Sequence, residues 1–226
     1  MGRFAFLVII GIGGAAILVS LGVWQVQRLA WKKALIADIE MRIAATPVPL
    51  PTTPDLVTDA YLPVEVTGVV GPSYLQILVS KKGVGAGYRI IRPMNQADGR
   101  ILIDMGFVTT QDANGLKFAE GPPLTITGNL QWPDEIDQFT PEPDTDNNIW
   151  FARDVSAMAE ALETQPILVV RRDLPQTGGP VSPMPVDTSA IPNNHLQYAV
   201  TWFSLAALWS LMTLYFLRRR PAAKQS

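Results

Sequence analysis

Two uncharged apolar runs, one near each end of the chain, constrain its fold more than any other feature. Phe4 to Gln27 carries no charged side chain. At about 1.5 Å of rise per residue it is long enough, as a helix, to cross a bilayer. Gly11, Gly13, Gly14 and Gly22 lie within it, and glycine is tolerated in membrane helices, where it lets a neighbour approach closely. The run exceeds a signal-peptide core, and bulky Val23-Trp24-Gln25-Val26 replaces the small residues of a cleavage site. It therefore reads as an uncleaved anchor. Tyr198 to Leu217 is likewise uncharged and is stopped by Arg218-Arg219-Arg220.

Charge orients the two runs. No Lys or Arg lies between Gly178 and Gln197, whereas Arg218, Arg219, Arg220 and Lys224 follow the second run. The excess of cations predicts a cytoplasmic C-terminus. With two spans the N-terminus is cytoplasmic as well, and the residues between are periplasmic. Arg28, Lys32 and Lys33 oppose this on the first span, but a loop of this length largely escapes the charge rule. Trp24, Trp31, Tyr198 and Trp202 then sit at the outer interface, where amphipathic rings prefer to lie. Setting aside the ends, residues 28–197 hold 13 basic and 20 acidic side chains. An acidic domain repels nucleic acid. The chain has no cysteine, which excludes disulfides, thiolate zinc sites and iron–sulfur clusters. It has one histidine, His195, so imidazole chemistry has one candidate.

The expected fold class is an α+β membrane protein. Two transmembrane helices flank a small antiparallel β-rich periplasmic domain with one short helix. The predicted boundaries are 1–27 for the first span, 28–197 for the periplasmic domain, 198–217 for the second span and 218–226 for a cytoplasmic basic tail. Within the domain, a helical extension runs over 25–43, where Leu29, Leu35, Ile36 and Ile39 interleave with Arg28, Lys32, Lys33 and Asp38. Four prolines between Thr46 and Pro54 end it and form a linker. A β-rich core follows over 60–172. Its strand-like runs are Leu62–Val70, Leu75–Ser80, Tyr88–Pro93, Ile101–Thr109, Leu124–Leu130 and Ile167–Arg171. Asp154 caps a short helix reaching Leu162. A Pro-rich return covers 175–192.

Most chemical motifs fail on inspection. Asp134, Glu135, Asp137, Glu142, Asp144 and Asp146 form an acidic run, and Asp144-x-Asp146-x-Asn148 resembles the start of a calcium loop. Ile149 stands where the turn glycine belongs and Val155 where the bidentate acid belongs, so the run reads as a solvated loop. Gly83, Gly85 and Gly87 lack a dinucleotide frame and read as a hairpin. No G-x-S-x-G elbow is present. His195 remains, in Pro192-Asn193-Asn194-His195 at the start of the second span, with Asn193 or Asn194 as its cap. Helical spacing predicts that His195, Tyr198, Ala199 and Trp202 share a face. Trp24, Arg28 and Trp31 recur similarly on the first span, with Arg28 placed to meet an anionic group. An interfacial anchor with belt aromatics explains the same residues, and position alone leaves both readings open.

Three segments resemble signatures of one family. They are Leu21-Gly22-Val23-Trp24-Gln25-Val26-Gln27-Arg28-Leu29-Ala30-Trp31-Lys32, Asn147-Asn148-Ile149-Trp150-Phe151-Ala152-Arg153-Asp154, and Asn193-Asn194-His195-Leu196-Gln197-Tyr198-Ala199-Val200-Thr201-Trp202-Phe203. Gly87-Tyr88-Arg89 and Ile101–Val108 match more loosely. In this order they resemble the surfeit locus protein 1 family. The chain departs from it at Asp104-Met105-Gly106-Phe107, where the family has an Asn-Arg-Gly-Trp type sequence. An arginine is therefore missing from that strand. The resemblance implies a non-enzymatic assembly factor of the bacterial inner membrane. It implies binding of heme a as cargo and help with its insertion into cytochrome c oxidase subunit I, with heme a synthase as a further partner. By the C-terminal signature, His195 is the implied heme iron ligand, and Tyr198, Trp202, Trp24 and Arg28 are the expected residues around it. The alternatives are a scaffold that stabilises subunit I without heme, and an unrelated periplasmic enzyme drawing carboxylates from Asp104 and the acidic run.

Overall fold

A computed structural model of the chain describes residues 2–172, 180–189 and 191–219. Part of the expected Pro-rich return, and Arg220 and Lys224 of the basic tail, lie outside the described residues. The chain divides into two compact units, residues 1–38 with 188–226, and residues 39–187.

The first unit is a pair of helices. α1 (Arg3–Ala44) is one continuous helix, so the apolar run and its polar extension are a single element, whose residues 39–44 belong to the second unit. α4 (His195–Arg218) is the other, and it begins on the histidine itself. Both are long and apolar enough to cross a membrane. Their apolar side chains point outward, among them Phe4, Ile12, Ile17, Leu208, Leu211 and Leu214, an exposed apolar surface of the kind that marks a protein or membrane interface. Contact between them runs along small residues. Gly11, Gly14, Gly22 and Gln25 of α1 turn inward, as do His195, Ala199, Trp202, Ala206 and Thr213 of α4. Their spacings, three and eight along α1 and three, four and seven along α4, are sums of threes and fours, so they line one coiled-coil-like seam. Trp209 Nε1 donates to the Gly11 carbonyl at 3.1 Å across it.

The second unit is a small barrel. Its strands are β1 (Val48–Pro49), β2 (Pro63–Val70), β3 (Leu75–Lys81), β4 (Gly85–Gln96), β5 (Gly99–Thr109), β6 (Leu124–Leu130), β7 (Ile149–Trp150) and β8 (Leu168–Arg171). All six strand-like runs of the sequence are strands. The sheet order is β1-β2-β6-β8-β5-β4-β3-β7, and a further β2–β4 pairing closes β2, β6, β8, β5 and β4 into a ring. Val64, Val66, Met94, Ile101, Ile103, Ile126 and Val169 pack together on the inner face. Alternate residues Leu102, Leu168 and Val170 point the other way, onto α3 (Val155–Leu162). That helix starts where expected. The Asp154 carboxylate accepts from the Ser156 and Ala157 amides at 3.0 and 3.1 Å, and Val155, Met158, Ala159 and Leu162 form its buried stripe. α2 (Thr110–Ala113) is one short turn after β5.

The antiparallel expectation needs correction, because the sheet is mixed. β5 pairs with β8 in parallel, as do β1 with β2 and β3 with β7. Hairpin neighbours are antiparallel, but β8 is reached only after α3 has carried the chain back across the sheet, and such a crossover returns a strand in the same direction. The expected linker is partly strand, since β1 lies within it. The glycine triplet is the expected hairpin: Gly83 and Gly85 have φ of +80° and +113° at the β3–β4 turn.

The segment that departs from the family pattern is a β-bulge. Ile90 pairs with Gly106 and Ile91 with Asp104, so Met105 is the extra residue. Gly106 has φ of +114°, and a Cβ there would lie 2.2 Å from the Ser182 carbonyl oxygen. Phe107 and Ser182 exchange two backbone hydrogen bonds of 2.7 Å beside it. Gly106→Ala is therefore expected to destabilise this unit by about 2–4 kcal/mol, from strain and from displacement of the backbone at Ser182. Urea unfolding of the full-length protein in detergent, followed by near-UV circular dichroism, measures it.

Candidate functional site

The one histidine has a specific partner. His195 Nδ1 lies 2.8 Å from Gln25 Oε1, across the helix pair. Both residues belong to the same compact unit. Gln25 is 8% exposed, one of few polar residues buried in the described chain. His195 is half-buried, in the first turn of α4. Asn194 occupies the cap position but makes no side-chain cap hydrogen bond, so the expected Asn cap is not formed. The first turn of α4 is instead tied by His195 to the opposite helix.

The other expected residues divide. His195, Ala199 and Trp202 share the inward face of α4, and Ala199 is buried. Tyr198 does not join them: it is exposed, a consequence of the seam running through 195, 199 and 202. Trp24 is exposed on α1 beside the seam. The Arg28 guanidinium stacks on the Trp31 ring, 3.9 Å from its centroid. Among the described residues, none of Trp24, Arg28, Tyr198 or Trp202 hydrogen-bonds to the imidazole. Gln25 does, although the sequence pattern singled out its neighbour. The available clue was an amide inside an uncharged run, two heptads after Gly11 and one turn after Gly22.

A second polar constellation lies in the barrel unit. Asp104, at the bulge, is 1% exposed. Its carboxylate pairs with Arg89 of β4 and lies 3.7 Å from Arg153 Nη1. One of its oxygens also accepts from the Gly106 amide at 3.0 Å. Arg153 is held further by Glu135, whose Oε2 accepts from the Arg153 amide at 2.9 Å and whose Oε1 accepts from Nε at 3.1 Å. Gln131 Oε1 accepts from Arg153 Nη1 at 2.8 Å. Arg89 donates as well to the Met184 carbonyl, 3.0 Å away. Two cations and two anions balance in this cluster. Burial pushes the Glu135 carboxyl up, but the hydrogen bonds and charge of Arg153 outweigh it and hold the group below its ordinary value. Arg89, Asp104 and Arg153 come from three of the segments noted for their resemblance, and the fold gathers them in one place.

Two further acids of the run, Asp144 and Asp137, shape turns. Asp144 accepts from the Asn147 amide at 3.1 Å and from its side chain at 2.8 Å, and Asn148 donates to the Tyr74 carbonyl at 3.0 Å. This is a turn that delivers Ile149 and Trp150 to the sheet edge. Asp137 accepts from the Phe139 amide at 2.8 Å in another. Both carboxyls are held below their ordinary range by these hydrogen bonds. Among the described residues, no three His, Asp or Glu side chains gather to hold a metal ion.

Comparisons with known proteins bear on the chain as a whole. The model of the SURF1 family matches residues 13–207, which include Gln25, the ionic cluster and His195. Surfeit locus protein 1 of Homo sapiens is 32% identical over 228 residues, covering 89% of this chain and 75% of the human protein. That of Rattus norvegicus is 31% identical over 226 residues, covering 89% and 73%. A SURF1-like protein of Monosiga brevicollis is 31% identical over 220 residues, covering 89% and 83%.

Proposed function

Because the chain belongs to the SURF1 family, we propose that it is an assembly factor for heme-copper cytochrome c oxidase. In this reading it binds heme a as cargo and assists insertion into subunit I. The protein acts as a chaperone and makes or breaks no bond in the heme. Subunit I and heme a synthase are the partners this role requires. Both spans cross the bacterial inner membrane, with the termini cytoplasmic and the barrel unit periplasmic. Arg218 and Arg219 at the end of α4 support that orientation through the positive-inside rule.

One observation carries the reading. The two terminal signature segments are joined by a hydrogen bond between Gln25 and His195. A histidine held in one orientation at the end of an apolar helix pair suits an axial ligand for iron in a hydrophobic macrocycle. Trp202 on the same face, and Trp24 on the rim, would supply flat apolar surface. Arg28, at the polar end of the apolar run, would face the propionates. The same hydrogen bond also supports the scaffold reading, in which His195 only joins the helices. An enzyme using Asp104 gains no support, since that carboxylate is committed to Arg89 and Arg153.

The deciding experiment is a reduced-minus-oxidised visible spectrum of the detergent-solubilised protein from cells that make heme a. Wild type is expected to carry a heme a signal, and His195→Ala to lose it while keeping its helix content. Absence of the signal from both proteins, with heme a abundant in the membranes, would favour the scaffold.

A further inference from the structure

Gln25 is buried on the seam of the helix pair, and its amide oxygen faces one ring nitrogen of His195. A carbonyl oxygen can only accept, so the nitrogen opposite it must carry the proton. We infer that Gln25 is a positioning residue. Its Oε1 fixes His195 as the Nδ1–H tautomer and leaves the Nε2 lone pair as the ligand. This rests on the heme-binding reading above for its purpose, but not for its geometry.

The physical reason is general to histidine ligands. The nitrogen that binds a metal is set by the hydrogen bond that the other nitrogen makes, and that second contact also fixes the ring's rotation. Carboxylates and backbone carbonyls usually provide it. Here no carboxylate is near in sequence: residues 4–37 and 188–219 hold no Asp or Glu. A neutral amide meets the same need without placing an uncompensated charge in the seam. It also accounts for an amide that the helix pair would otherwise bury at a cost. The contact needs both helices, since Gln25 and His195 are 170 residues apart. The ligand is therefore oriented only when α1 and α4 are packed.

The chain's single histidine makes the test direct. Full-length protein without added histidines, in detergent micelles and labelled with 15N in the histidine ring, gives one pair of ring nitrogen resonances. Wild type without heme is expected to show a protonated Nδ1 and a bare Nε2. Gln25→Ala is expected to lose that preference. Gln25→Glu, which still accepts the proton, is expected to retain it. An Nε2–H ring in wild type would overturn the inference, and so would an unchanged Nδ1–H ring in Gln25→Ala.

Heme a titration supplies the second arm. Gln25→Ala is expected to bind about 10–100-fold more weakly than wild type, with recovery in Gln25→Glu. Equal affinity in Gln25→Ala would overturn the positioning role. The two readings fail separately. Wild type that takes up no heme a, yet shows a tautomer dependent on Gln25, defeats the heme reading and leaves the tautomer assignment standing.

Discussion

Asp104→Ala is expected to destabilise the barrel unit by about 3–5 kcal/mol, a large share of its total. The variant leaves Arg89 and Arg153 facing each other at a buried site, with 7% and 8% exposure and one anion fewer. Breaking a buried pair by deleting one partner costs about 3–5 kcal/mol, because the remaining charge is desolvated without compensation. A domain of this size has only about 5–15 kcal/mol in total. The loss also reaches the bulge, since Asp104 accepts the Gly106 amide. Urea unfolding of the full-length protein in detergent, followed by near-UV circular dichroism, measures the effect at neutral pH. Neutral pH matters because Glu135 has a folded pKa below its ordinary 4.5. Its contribution is fully present above that value and is lost as pH falls through the folded pKa. Two companion variants test the mechanism. Asp104→Asn keeps the shape and the acceptor and should fall between wild type and Asp104→Ala. Asp104→Leu combined with Arg89→Met should be less destabilised than Asp104→Leu alone. Equal stability of Asp104→Ala and wild type would show that the cluster contributes nothing.

Much of this architecture is legible in the residues, for local reasons. β2 alternates buried Val64 and Val66 with exposed Glu65 and Thr67, and α3 carries its own cap and stripe. Such signals lie within a few residues of one another. The rest depends on contacts distant in sequence. β1 is two residues long in a proline-rich stretch and is a strand only because β2 lies beside it. The parallel entry of β8 and the closure of the ring between β2 and β4 have no local mark. Asp104 is 15 residues from Arg89 and farther still from Arg153, so an apparently solitary carboxylate is one member of a balanced cluster. The helix pair hides its seam differently. Over their uncharged runs both helices are apolar nearly all round, and rotation about their axes is set by packing against a neighbour. Trp24 and Arg28 look important as side chains, yet Gln25 faces the partner helix.

The packing of that seam leads to the other large effect. Gly14→Leu is expected to separate α1 from α4 and, with them, Gln25 from His195. Leucine is a good helix former and strongly apolar, so neither the helix nor its preference for a bilayer is harmed. The obstacle is space. Even a Cβ at Gly14 would lie 2.5 Å from Trp209 Nε1 and 2.6 Å from its Cε2. The ring is also held by the Gly11 carbonyl, so it cannot turn aside without losing that hydrogen bond inside an apolar pair. Overpacking of this kind costs about 1–3 kcal/mol in soluble cores, and a whole leucine against an indole belongs at or above the upper end. Gly13→Leu is the matched control. A Cβ at Gly13 has nothing within 4 Å, so the same substitution one residue away should be silent. The ring-15N spectrum of His195 and the heme a content are the two measurements. Gly14→Leu should lose the fixed tautomer and at least about tenfold in heme affinity, consistent with the loss of a supporting contact to a ligand. Gly13→Leu should match wild type in both. If Gly14→Leu also matched wild type, close approach of the helices at Gly14 would be unnecessary for orienting the histidine. If both variants failed alike, bulk in the span rather than packing of the seam would be the cause.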